Sequence, residues 1–226
     1  MDLYNLIKII TTLITSIISL IIGIRVFILN KTDWLNKWFF LFFISSTLGF
    51  LIYSLYHLIL NNSGIIIPLM IIAHIFYNFS IISLTMTVFV LEKYTKVAMS
   101  MKYLGSMIII FILMSIGYFI FIPTLDMDSY NLGIVNTTTP IVWLISVNII
   151  RIILAGFVVY KYITMAKKIE RETKNKIKWF SIGVIFVIIG IFSNLIGGAI
   201  HSILMEILAL VIIDIGALLI FKGFLR

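Results

Sequence analysis

Arg151 stands about ten residues into the apolar run that begins near Ile141. An ionisable group at that depth must face protein, a partner charge or a wet cavity, because hydrocarbon offers it nothing. Asn148, three residues earlier, shares its helical face. Asp214 lies 11 residues into the run that starts at Ile203. At 1.5 Å per residue it reaches a matching depth and is the expected partner. Glu206, one turn from the start of the same run, is the alternative partner. Three uses remain open for an Arg151–Asp214 pair: an interhelical clamp, a switch moved by ligand, or a step in a proton or ion path. A buried pair is weak evidence for net stability, so the clamp needs no further role to persist.

The three histidines gather towards one side. Tyr53 and His57 are spaced i,i+4, and His74 and Asn78 repeat that spacing with Tyr77 between them. With Asn194, His201 and Glu206 these residues are candidates to line a shallow polar pocket that opens outward and takes a small ligand. Each taken alone also serves as an ordinary interhelical hydrogen-bonding group. No spacing assembles three metal ligands and the chain has no cysteine, so neither a metal nor another cofactor is expected. The last apolar run holds no lysine for a retinal Schiff base. Paired aspartates, a His-Glu-x-x-His helix, a Gly-x-Ser-x-Gly elbow and a P-loop are all missing. Catalysis therefore has no support in the motifs. Of the glycosylation matches, those at Asn61 and Asn136 fall in segments expected outside.

The elements that position these groups are membrane spans. The 226 residues are 62% hydrophobic and 12% charged, with a mean hydropathy of +1.20. A soluble domain carries about 25% charge. Apolar runs of about 20 residues specify helices, whereas barrel strands alternate over about ten. The expected fold is all-α, one polytopic domain over 1–226, with seven spans at 6–29, 35–60, 65–91, 103–122, 141–160, 179–200 and 203–221. The first lacks a basic lead and a small-residue cleavage pattern, so it is read as a retained span rather than a signal peptide. The sixth and seventh must turn within a few residues around His201.

Basic residues orient the bundle. Of 17 Lys and Arg, 15 fall on one side: in the first, third and fifth connections, their flanks and the C-terminus. The positive-inside rule then puts the N-terminus outside and the C-terminus in the cytoplasm of a cell-membrane protein. The net charge of +8 is thereby assigned to orientation and to anionic lipid rather than to nucleic acid. The stretch Tyr162 to Lys178 is expected to continue the fifth helix. Its Lys167, Lys168, Arg171, Lys174, Lys176 and Lys178 form a basic surface, read either as a lipid-facing linker or as a docking surface for a protein partner.

The first span ends in basic residues and is followed by Trp34-Leu35-Asn36-Lys37-Trp38-Phe39-Phe40. Pro68 opens the third span, and Phe89 to Tyr94 make an aromatic, charged exit. On these features residues 1–100 resemble the N-terminal seven-transmembrane sensor module of histidine kinases. The resemblance implies a signal receiver, here without a kinase domain and so acting through a separate cytoplasmic or membrane partner. Two other classes compete with it. A small transporter or channel component requires a polar route across the bilayer. A non-catalytic structural subunit requires tight pairing of the polar groups, with neither pocket nor route.

Overall fold

The computed structural model describes residues 2–167, 171–200 and 202–225. Seven of its helices are long and apolar enough to cross a membrane: α1 (Leu3–Leu29), α2 (Trp34–Leu58), α3 (Ile66–Ala98), α4 (Ser106–Ile120, entered through a π-helical turn at Met101–Gly105), α6 (Ile141–Ala166), α7 (Arg171–Ala199) and α8 (Ile203–Leu225). A short α5 (Met127–Asn131) sits in the connection after α4. The chain is thus a predominantly helical integral membrane protein of seven candidate spans.

Local chemistry sets the helix starts. Asp2 accepts from Tyr4 N–H at 2.9 Å and caps α1. Asp33 accepts from Leu35 N–H at 3.1 Å and caps α2. Each satisfies an amide that the helix leaves orphaned. At Tyr94 the helix α3 is interrupted by a backbone at φ 60°, ψ 156°, a region that suits glycine and strains other residues.

Several boundaries differ from the sequence expectation. α3 continues seven residues beyond Leu91, to Ala98, and α4 stops at Ile120 rather than Ile122. The stretch Tyr162 to Lys178 is not one continuation of the fifth span. α6 ends at Ala166, and the residues from Arg171 onward already belong to α7. Two antiparallel spans need a reversal between them, and it falls between Ala166 and Arg171. The sharp turn between the last two spans is present, with α7 ending at Ala199 and α8 starting at Ile203.

Neighbour contacts close six helices into a ring, in the order α1, α2, α3, α6, α7, α8 and back to α1. α4 lies outside it, packed on α3 and α6. α7 and α8 pack backbone to backbone. A Cβ on Gly183 would lie 2.6 Å from Gly216 O, and one on Gly223 would lie 3.0 Å from Lys176 O. Small residues at such a seam let two membrane helices approach closely. Gly183, Gly190 and Gly197 recur every seven residues, as do Gly216 and Gly223, so each set stays on one face of a slightly supercoiled pair.

α1 closes the ring with a polar stripe. Asn5, Lys8, Thr12, Thr15 and Ser19 are all buried, and their three- and four-residue steps keep them on one face. Thr12 Oγ1 and Ser54 Oγ are 2.7 Å apart, and Ser16 and Thr47 exchange hydroxyl-to-carbonyl bonds at 3.2 and 3.3 Å. Each such interhelical bond contributes about 0.6 kcal/mol.

The two ends of the bundle differ. One carries most of the Lys and Arg and is here the basic end. At the other, the loop end, Thr124 and Leu125 pair antiparallel with Thr138 and Thr137. Val135, from the same connection, is buried against Tyr56, Ile66, Met70 and Ala73. This hairpin lies over the loop end of the ring.

Candidate functional site

Each helix of the ring turns a stripe with steps of three or four residues inward. On α6 it is Leu144, Asn148, Arg151 and Ala155; on α8 it is Glu206, Leu210, Ile213, Ala217 and Ile220. Together they line a partly open cavity of about 230 Å³, bordered at the loop end by Asn136 to Thr139. On α1 its wall runs from Lys8 to Ile22, a depth of about 21 Å at 1.5 Å per residue.

Arg151 is buried in this wall. Asn78 Oδ1 accepts from its Nη2 at 2.6 Å and from its Nε at 3.1 Å. Asn148 Oδ1 accepts from Nη1 at 3.2 Å. The second Nη2 hydrogen reaches only long contacts, to Tyr118 OH and His74 Nδ1 at 3.4 Å and to His74 O at 3.5 Å. Asn78 is itself fixed, donating from Nδ2 to Met114 O at 2.9 Å. Every partner of the guanidinium is therefore uncharged.

The expected Arg151–Asp214 pair is not formed. Asp214 instead accepts from Thr15 Oγ1 across the α1–α8 seam. The facing that such a pair needs is absent: the inward stripe of α8 includes Ile213 and Ala217 and leaves Asp214 out. Glu206 does not pair with Arg151 either. It binds Lys8 Nζ at 2.8 Å, with the lysine side chain 2% exposed. The helical connectivity brings α1, not α6, beside α8.

Of the remaining pocket candidates, His57, His74, Tyr77 and Asn194 line the cavity. His57 is buried, its Nδ1 2.9 Å from Tyr53 O, and its ring stacks on Tyr53. His74 stacks on Tyr118 with centroids 4.7 Å apart. The Tyr77 ring occupies the space that a side chain at Gly49 would need, and its hydroxyl is buried without a partner among the described residues. Asn78 touches Arg151 behind the wall. His201 lies outside the described residues.

The basic surface is divided. Lys167 follows the last residue of α6 and is exposed, and Lys174 and Lys178 are exposed on α7. Arg171 opens α7, while Lys168 lies outside the described residues. Lys176 instead joins Arg25 in lining an open recess of about 370 Å³ at the basic end.

Between recess and cavity stands a layer of rings. Phe39 meets Phe224 at 5.4 Å, Phe180 at 5.9 Å and Tyr162 at 6.3 Å. Phe43, which lines the cavity, meets Phe224 at 5.5 Å. Phe39, Tyr162, Phe180 and Phe224 also line the recess. Edge-to-face contacts of this kind add about 0.5–1.5 kcal/mol each to the burial of the rings. The cavity is thus closed at the basic end by one aromatic layer. Outside the spans, hydrogen bonds from Ser129 hold the half-buried Asp126 carboxyl below the usual aspartate range.

Lys8, Thr15, Ser19 and the aromatic layer did not stand out in the sequence. The signal for the first three was present as the stepped polar residues of α1. The layer is drawn from four helices, so no local spacing announces it. Fold and site together define a seven-helix membrane protein with an internal, mixed polar and apolar cavity. Comparison with protein-family models, with curated proteins and with solved structures finds no match.

Proposed function

We propose that the chain is a cell-membrane receptor-like protein that binds a small ligand in the ring cavity and signals through a separate partner. The supporting observation is a cavity that runs from beneath the loop-end hairpin to Arg151 and stops at the aromatic layer. In the orientation expected from the positive-inside rule, it faces the outside. A ligand that binds one arrangement of these helices better than another shifts their populations, and α6 and α7 carry that shift to the basic segment. The resemblance of residues 1–100 to sensor modules of histidine kinases points the same way.

A second reading is favoured by the recess: two spaces separated by a single aromatic layer are also what a small transporter requires for access from alternate sides. The third, a structural subunit, is favoured by no comparable observation, because the ring is not packed solid.

The chain has no cysteine, so single thiols report cleanly. Ser19→Cys places one in the cavity wall and Ile17→Cys places one on the exposed face of α1. A charged, membrane-impermeant methanethiosulfonate is applied to each side of oriented membranes. A receiver gives labelling of the Ser19→Cys protein from the outer side alone. Labelling from both sides supports transport, and none from either side supports a subunit.

A further inference from the structure

We infer that the cavity ligand is a small amphipathic monoanion whose carboxylate is bound by Arg151. The inference rests on the cavity being the ligand site. Three charged side chains line it among the described residues: Lys8, Glu206 and Arg151. Lys8 and Glu206 neutralise each other at 2.8 Å, and Asp214 is not in the wall. The lining therefore carries one uncompensated positive charge, deep in the bundle.

The guanidinium also has donors to spare. It has five N–H groups. Asn78 takes two and Asn148 takes one. The second Nη1 hydrogen has no acceptor among the described residues, and the second Nη2 hydrogen is shared among contacts of 3.4–3.5 Å. A cation in a low-dielectric wall binds an anion far more strongly than it would in water. The planar fork matches a carboxylate better than it matches a spherical ion.

Size and polarity define the rest of the ligand. A cavity of 150 Å³ accommodates benzene, so 230 Å³ accommodates roughly nine or ten non-hydrogen atoms. Below Arg151 the wall is mostly apolar: Phe43, Leu84, Val184, Ala217 and Ile220 lead down to the aromatic layer, with the hydroxyls of Ser19, Ser46 and Ser80 interspersed. An alkyl or aryl tail of medium length fits there with its acid group at the arginine. A fully hydrophilic anion would leave this lower half unfilled.

The test uses the full chain in nanodiscs of a neutral phospholipid. Radiolabelled octanoate, with about ten non-hydrogen atoms, is compared with 1-octanol as its uncharged counterpart. Saturable octanoate binding at least tenfold tighter than that of octanol is expected. Arg151→Gln should lower octanoate affinity at least tenfold and leave octanol unchanged, whereas Arg151→Lys keeps the preference for the anion. Equal binding of the two probes, no saturable octanoate binding, or full octanoate binding by R151Q overturns the inference. The parent comparison decides the matter even where R151Q fails to fold. Ala155→Phe, which fills the cavity, separates the two levels of the argument. If octanol binds as well as octanoate and Ala155→Phe blocks both, the cavity remains a ligand site and the anion assignment falls. If Ala155→Phe blocks neither, the ligand-site reading falls with it.

Discussion

Asn78 Oδ1 accepts two hydrogen bonds from Arg151, at 2.6 and 3.1 Å, and so ties α3 to α6 through a neutral amide. A carboxylate in its place would cancel the charge within the protein. The amide positions the guanidinium and leaves its charge available to the cavity. Asn78→Leu should destabilise the protein by about 2–3 kcal/mol, the loss expected for hydrogen bonds to a charged group. Denaturant unfolding in mild detergent checks this. Arg151→Leu and Asn78→Leu should combine to less than their sum, whereas Arg151→Leu and Asp214→Asn should be additive.

Lys8 and Glu206 hold α1 to α8 at the loop end. Lys8→Met strands a carboxylate and should cost about 3 kcal/mol. Adding Glu206→Leu should restore most of that stability, since two apolar groups replace a buried pair at little cost. Unfolding midpoints of the two variants, measured side by side, decide it.

The α7–α8 seam depends on missing side chains. Gly183→Ala puts a methyl 2.6 Å from Gly216 O and should destabilise by about 2 kcal/mol through overpacking. Gly156 on α6 has nothing within 4 Å, so Gly156→Ala should gain about 0.5–1 kcal/mol from helix propensity. The opposite signs, read by thermal unfolding, separate a packing requirement from a general effect of glycine.

Asp126 anchors the loop-end hairpin through Ser129. Its folded pKa is depressed, so its contribution is present above the ordinary aspartate range, about pH 4. That contribution is lost as pH falls through the lower folded value. Amide exchange in residues 124–138 should accelerate on acidification in the parent. In Asp126→Asn it should be fast throughout and insensitive to that step.

The seven helices were legible because hydropathy and length act locally, and the hairpin between α7 and α8 followed from the excess length of one apolar run. That Arg151 and Asn148 share one helical face was legible because a three-residue step fixes it. Pairing across helices was not. Depth matched Arg151 to Asp214, but the rotation of α8 about its axis and the closure of the ring by α1 decide which side chains meet. The first is set by the close packing of α7 on α8 at Gly183, Gly190 and Gly216. The polar steps of α1 and the seven-residue glycine spacing carried that information in a form that single-span reading passes over.

The account depends most on the cavity being wet and distinct from the lipid face. Asn194 lines it, while Phe192, two residues away on α7, is 52% exposed on the outside of the bundle. Nitroxides attached at Asn194→Cys and Phe192→Cys in lipid bilayers report which solvent each site meets. The expected result is strong relaxation of the label at 194 by a water-soluble nickel chelate, with the label at 192 relaxed by oxygen instead. Equal, oxygen-dominated relaxation at both sites would contradict an aqueous cavity inside the ring.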